Sequence, residues 1–293
     1  MGYLYTVLSV LLGAAKGYCG KSSSRYMQSG SDAVLLNLFR MLICSVIGFF
    51  IVLQSGGALP VDNTIELWII LLSAISTALF VISWLLCARE DAYILLDAFL
   101  LIGAIIPISV CFFLFQEPIY LNQIIAIGIL IVAIYFLCGF NKQLKGKMSK
   151  KSLTLLFLCG MLNGCTDLSQ KLYVKAIDSP NIARFQFYTY LFSFGILLIF
   201  HMGIRKKQEP PKNPYMRQML LYVLLMAVCL FGCSYFKTLA ANFLSSAQLY
   251  PFSQGLALIL SSLMSAFLFH EKLTKKAVLG IALAFVSVLM LNI

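Results

Sequence analysis

The residues able to do chemistry in this 293-residue chain are a few charged and amide side chains set in long apolar stretches. Lys16 stands in the last third of the stretch beginning at Tyr3. An ammonium ion facing hydrocarbon costs about 3 kcal/mol or more, so Lys16 is expected to face a water-filled interior, unless it reaches the interface by snorkelling. Asp97, in a later stretch, is its natural counter-ion. The pair is either a permanent ion pair or one that a substrate opens by competing for a partner. Tyr250 and Gln254 flank Pro251, whose ring removes a backbone donor and frees an upstream carbonyl, and a partly polar, kinked helix suits a binding site. Trp84 either anchors at the headgroup level or turns inward, while Trp68 is expected to anchor. Asp167 and Lys171, four apart, share a helical face, and a local salt bridge accounts for both. Arg40, Asn37 and Gln186 read as helix-contact residues.

Reactive constellations are missing. The chain has no HExxH, no GxSxG, no paired intramembrane aspartates and no phosphate-binding loop, which argues against an enzyme or a nucleotide-driven pump. Its nine cysteines form no CxxC pair, and His201 and His270 lack partners at ligand spacing, so neither a metal nor a cofactor is expected.

Positioning these groups falls to the apolar stretches. Hydrophobic residues make up 61% of the chain and charged ones 11%, against about 45–50% and 25% in soluble domains. Where hydrocarbon is the solvent, backbone polar groups must be satisfied within each segment, so spanning helices of roughly 20 residues carry the fold. Ten candidates follow: 3–20, 33–53, 67–86, 93–115, 121–140, 153–174, 185–202, 218–237, 244–269 and 277–293. The first is expected to be retained rather than cleaved as a signal peptide. The net charge of +11 resides mostly in the connections, a mark of topology rather than of nucleic-acid binding.

Two halves share sequence. Leu101–Leu137 overlies Gly255–Leu291 without a gap, with 8 identities in 37 positions. Among them Phe113-Leu114-Phe115-Gln116-Glu117 meets Phe267-Leu268-Phe269-His270-Glu271. At another offset Gly13, Gly17 and Ser22 overlie Gly160, Gly164 and Ser169, which sets Asn163 at the position of Lys16, facing it across a central cavity. Glu117 and Glu271 end equivalent spans and are expected to stabilise the start of the helix that follows. The expected organisation is a first five-helix repeat over 1–140, a basic linker over 141–152 and a second five-helix repeat over 153–293.

Odd-numbered connections hold 16 of the 22 Lys and Arg residues, which places them in the cytoplasm and both termini outside. An odd number of helices per half inverts the second repeat. The fold expected is an all-α integral membrane protein of ten transmembrane helices in two inverted five-helix repeats, an architecture common among alternating-access transporters.

Five plus five helices, and the run Phe269-His270-Glu271-Lys272-Leu273 ahead of a last helix containing Gly280, resemble the drug/metabolite transporter (DMT) superfamily, in particular its EamA-type members. The resemblance implies a central cavity lined mainly by helices 1, 3 and 4 of each half, and movement of solutes by alternating access. The function expected is secondary transport of a small polar or amphipathic metabolite, such as an amino acid, nucleoside, sugar or drug. A flippase for a lipid-linked substrate, or a receptor or channel, is the alternative. The substrate site is expected at Lys16, Asp97, Asn163, Trp84, Tyr250 and Gln254. The partners expected are that small molecule and the bilayer of the plasma or inner membrane, with a coupling ion left open, no nucleic acid, and a monomeric or homodimeric state.

Overall fold

A computed structural model describes residues 1–24, 26–27, 30–56, 59–61, 63–89, 93–138, 150–205, 216–268 and 275–291. Residues 139–149, which include most of the linker 141–152, and Glu271 lie outside the described residues. All regular structure among the described residues is helical.

Eleven helical segments make the ten spans. They are α1 (Gly2–Ser24), α2 (Gly30–Gln54), α3 (Thr64–Arg89), α4 (Tyr93–Gly103), α5 (Ile105–Phe115), α6 (Leu121–Cys138), α7 (Lys150–Ala176), α8 (Ile182–Arg205), α9 (Met216–Ala241), α10 (Ser246–Leu268) and α11 (Lys275–Met290). The fourth span is two helices, interrupted at Ala104. Pro107 explains the break, because it has no N–H for the carbonyl of Gly103 and its ring crowds that carbonyl. The ladder resumes with the Ile108 N–H on the carbonyl of Ala104 at 3.4 Å. Pro251, by contrast, is accommodated inside one continuous helix.

Several helix starts are capped from their own sequence. Asn63 Oδ1 accepts the Ile65 N–H at 2.8 Å and Asn181 Oδ1 accepts the Arg184 N–H at 3.0 Å. At α10, Gln248 reaches back to the Ser245 N–H at 3.3 Å, half of a capping box.

Residue character is distributed for lipid. Large apolar side chains such as Phe113, Tyr135 and Leu121 point outward, and Trp68 is 68% exposed. Polar side chains are inside and bonded across helices: Asn37 donates to the Val81 carbonyl at 3.1 Å, Gln186 to Thr238 at 3.0 Å, and Ser193 to the Ala74 carbonyl at 2.9 Å. Asn37 and Gln186 are thus helix-contact residues as expected, while Arg40 is buried with its Nε unsatisfied. Among the described residues four helices, within α2, α3, α8 and α9, are long and apolar enough to cross a membrane by length and composition. The more polar long helices α1, α7 and α10 are the ones that supply most of the interior polar groups described below.

Neighbour relations exchange between the halves. Helix α1 packs along α9 as α7 packs along α3; α2 lies against α8, and α6 against α11. The tightest crossing joins α4 to α7. A Cβ on Gly103 would overlap the Gly160 carbonyl, and one on Gly164 would overlap the Gly103 carbonyl, so only glycine permits this approach.

Two ion-pair clusters tie one end of the bundle. Arg184, at the start of α8, makes a two-pronged contact with Glu66, at the start of α3, with Nε–Oε1 3.1 Å and Nη2–Oε2 3.0 Å; Tyr173 of α7 donates to the same carboxylate at 3.0 Å. Lys171, 1% exposed, donates to the carbonyls of Ala241 and Leu244 at 2.9 and 2.6 Å and lies 3.1 Å from Glu117 Oε1. This corrects the local Asp167–Lys171 bridge expected from their spacing. A lysine stem reaches well beyond one helical turn, and here it turns to satisfy carbonyls left bare at the end of α9. Glu117 likewise serves a different helix from the one that follows it: its Oε2 accepts the Ser246 N–H of α10 at 2.7 Å, while the start of α6 is bonded by Gln123.

Candidate functional site

Between helices of both halves lies a cavity with about 670 Å³ of empty space including its mouth. Its walls come from α1, α3 and α4 of the first half and α7, α9 and α10 of the second. From α1 it takes Ser9, Val10, Gly13 and Lys16, two turns of one helical face. Helix α3 adds Phe80 and Trp84, one turn apart, and α4 adds Leu100. Across from them stand Asn163 of α7, Cys233 and Lys237 of α9, and Ser253, Gln254 and Ser261 of α10.

Glycine positions the tryptophan. A Cβ on Gly20 would fall 2.5 Å from Trp84 Cη2, so the indole lies directly on the α1 backbone. There its ring faces the Lys16 ammonium at 5.6 Å from the centroid, a cation–π contact. Trp84 is therefore an interior residue, 4% exposed, and not an interfacial anchor.

Four of the six expected site residues, Lys16, Trp84, Asn163 and Gln254, meet around this cavity. Lys16 and Asn163, paired by the repeat, both line it. Tyr250 stands one layer back, fully buried, its hydroxyl donating to the Asp167 carbonyl at 2.7 Å. Asp97 sits on α4, but its side chain lies outside the described residues.

One charged pair at the site was not expected. Lys237 Nζ lies 2.7 Å from Asp167 Oδ1, while Asp167 Oδ2 accepts from Asn163 Nδ2 at 3.3 Å. The ammonium also lies over the Tyr250 ring, 5.8 Å from its centroid. Asp167 is 2% exposed and Lys237, at 13%, borders the cavity, so the acid stands behind the base. Lys16 is close enough to Asp167 to interact with it through space. The wall thus combines two ammonium groups, two amides and three serines on its polar side, with a carboxylate behind Lys237, and Val10, Phe80, Trp84 and Leu100 on its apolar side. It is suited to hold a small molecule with both characters.

A second depression, wholly apolar, lies beside the break in the fourth span. Ile102, Ile105 and Ile108 face Ile127, Ile131 and Ile134 of α6 there, with Pro251 at its edge.

Comparison with known proteins agrees with this architecture. A solved crystal structure of a protein 13% identical in sequence superposes with a TM-score of 0.75, over 99% of this chain and 95% of that one, which establishes the shared fold. No curated protein sequence matches the chain. The sequence pattern of the EamA-like transporter family matches residues 150–293, the whole of α7 to α11. Residues 150–293 of the chain thus match the EamA-like transporter family of the DMT superfamily, a family of multi-pass membrane proteins, and the full length adopts the fold of that solved structure.

Proposed function

We propose that the protein is a secondary transporter that carries a small polar or amphipathic metabolite by alternating access, with the substrate held in the cavity between α1, α3, α4 and α7, α9, α10. The observation that carries this reading is the placement of Lys16 and Lys237, from opposite halves, on one interior cavity. Burying ammonium groups inside an apolar bundle is costly, and functional use is the usual reason it is retained.

On this reading residues 1–140 and 153–293 are inverted repeats, supported by the exchanged packing of α1 on α9 and α7 on α3. The site comprises Lys16, Asp97, Asn163, Trp84, Tyr250 and Gln254, now joined by Lys237 and Asp167. The chain is a carrier of the plasma or inner membrane and not an enzyme, with both termini outside.

A thermal-shift screen of purified protein against amino acids, nucleosides, sugars, phosphorylated metabolites and cationic drugs, followed by uptake of the hit into proteoliposomes, tests the reading. Saturable uptake that is impaired in Lys16→Ala and Asp97→Asn, with the protein still folded, is the expected result. Conductance without saturation would indicate a channel instead.

The apolar depression beside Ala104 favours a second reading, a flippase whose substrate keeps its chain in that groove and its polar head in the cavity. Stabilisation by lipid-linked compounds and by none of the soluble panel would select it.

A further inference from the structure

We infer that the cavity is selective for small carboxylates with an apolar body, and that Lys237 is the residue that receives the carboxylate, with Asp167 as its resident counter-ion. This rests on the transporter reading of the same cavity and specifies its substrate class.

The argument begins with donor arithmetic. An ammonium group has three N–H donors. Among the described residues Lys237 gives one hydrogen bond, to Asp167. Two donors remain on a group that borders the cavity, while its partner stands behind it at 2% exposure. An incoming carboxylate therefore meets the lysine first and has no need to expel the aspartate.

Charge sets the sign of the ligand. Lys16 of α1 and Lys237 of α9 both line the cavity, while Asp167 of α7 stands behind Lys237. An anion is drawn to this wall, whereas a cation meets two like charges at close range. Asn163 and Gln254, 7% and 8% exposed, offer amide donors on the same wall.

Shape supplies the rest. Opposite the polar wall stand Phe80, Trp84 and Leu100, which would exclude water from an apolar body. The indole is held in place by Gly20, so this surface is formed before the ligand arrives.

Formate, the smallest carboxylate, is the probe. In Asp167→Ala, Lys237 loses its counter-ion and a space of carboxylate size opens beside it. Sodium formate should then raise the melting temperature of the purified full chain saturably, relative to sodium chloride at equal ionic strength. Half-saturation should be no tighter than about 1 mM, the limit set by a ligand of three heavy atoms. The effect should disappear in Asp167→Ala/Lys237→Met. If Asp167→Ala does not fold, Asp167→Ser, which also shortens the side chain and opens a space beside Lys237, serves the same comparison.

Formate and chloride acting alike in the aspartate variants, rescue that persists without Lys237, or inorganic phosphate acting where formate does not would each overturn the assignment. Formate rescue requires no transport. A chain that is rescued yet carries nothing across a membrane would keep the Lys237 assignment and lose the transporter reading; the reverse result would do the opposite.

Discussion

Glu117, in the turn after α5, accepts the backbone N–H of Ser246 at the start of α10 at 2.7 Å, so a first-half carboxylate caps a second-half helix. With Lys171 3.1 Å away, this contact ties α5, α7, α9 and α10 together at one end of the bundle.

Removing the charge should release that end. Glu117→Gln leaves Lys171 buried with carbonyl partners only, and breaking a buried pair from one side costs about 3 kcal/mol at the low end of its range. Lys171→Met, which removes the buried charge itself, should be milder. Melting temperatures of the two variants in one detergent check the order.

Acid should act on the same contact. Glu117 lies in a connection outside the spans. Burial pushes its carboxyl pKa up, but the Ser246 N–H and the Lys171 ammonium outweigh burial and hold it below the ordinary value. Its contribution to stability is therefore complete above the unfolded-state pKa of about 4.3 and is lost as pH falls through the lower folded value. Stability measured from pH 7 down to 3 should decline at the acid end in the wild type and decline less in Glu117→Gln.

The α4–α7 crossing should tolerate no side chain. Gly103→Ala or Gly160→Ala forces the backbones apart and should destabilise by about 1–3 kcal/mol, as over-packing does. Gly128→Ala and Gly195→Ala, whose added Cβ meets nothing within 4 Å, should be neutral or slightly stabilising. A comparison of melting temperatures across the four variants separates the two groups.

Trp84 should move if Gly20 gains a methyl group. In a Trp68→Phe background, where Trp84 is the sole tryptophan, Gly20→Ala should change the fluorescence maximum and its quenching by acrylamide, because the added Cβ occupies the place of the indole edge. Unchanged emission would mean that the ring can sit elsewhere without cost.

Orientation is open to direct labelling. Single cysteines introduced in the Lys142–Lys151 linker of a cysteine-free background should react with impermeant reagents only from the cytoplasmic side. Labelling of the linker from outside would reverse the charge-based assignment.

Much of this was legible in the sequence because membrane folding leaves strong marks. Apolar stretches of the required length delivered the spans, and the repeat offset that pairs Lys16 with Asn163 pointed to two residues of one cavity. Charge partners were less legible. Asp167 and Lys171 have a spacing suited to a local bond, yet each found a partner from elsewhere in the fold, Lys237 and Glu117 respectively. Sequence spacing reports what one helix can do by itself, whereas long side chains in a low-dielectric interior bond to whatever the neighbouring helices leave unsatisfied. Lys237 escapes a sequence reading for the same reason: the apolar stretch 218–237 ends on it, and nothing local shows that α9 extends to Ala241 and keeps residue 237 within the bundle.

The interruption at Ala104 has a mechanical meaning. Above it, α4 is clamped to α7 through Gly103 and carries Leu100 on the cavity wall; below it, α5 leads to Glu117 and the tied end. A continuous helix would pass any tilt at that end straight to the wall of the cavity. Divided at Ala104, the fourth span is two levers on a common pin, so a tilt at the tied end is not passed rigidly to the wall of the cavity.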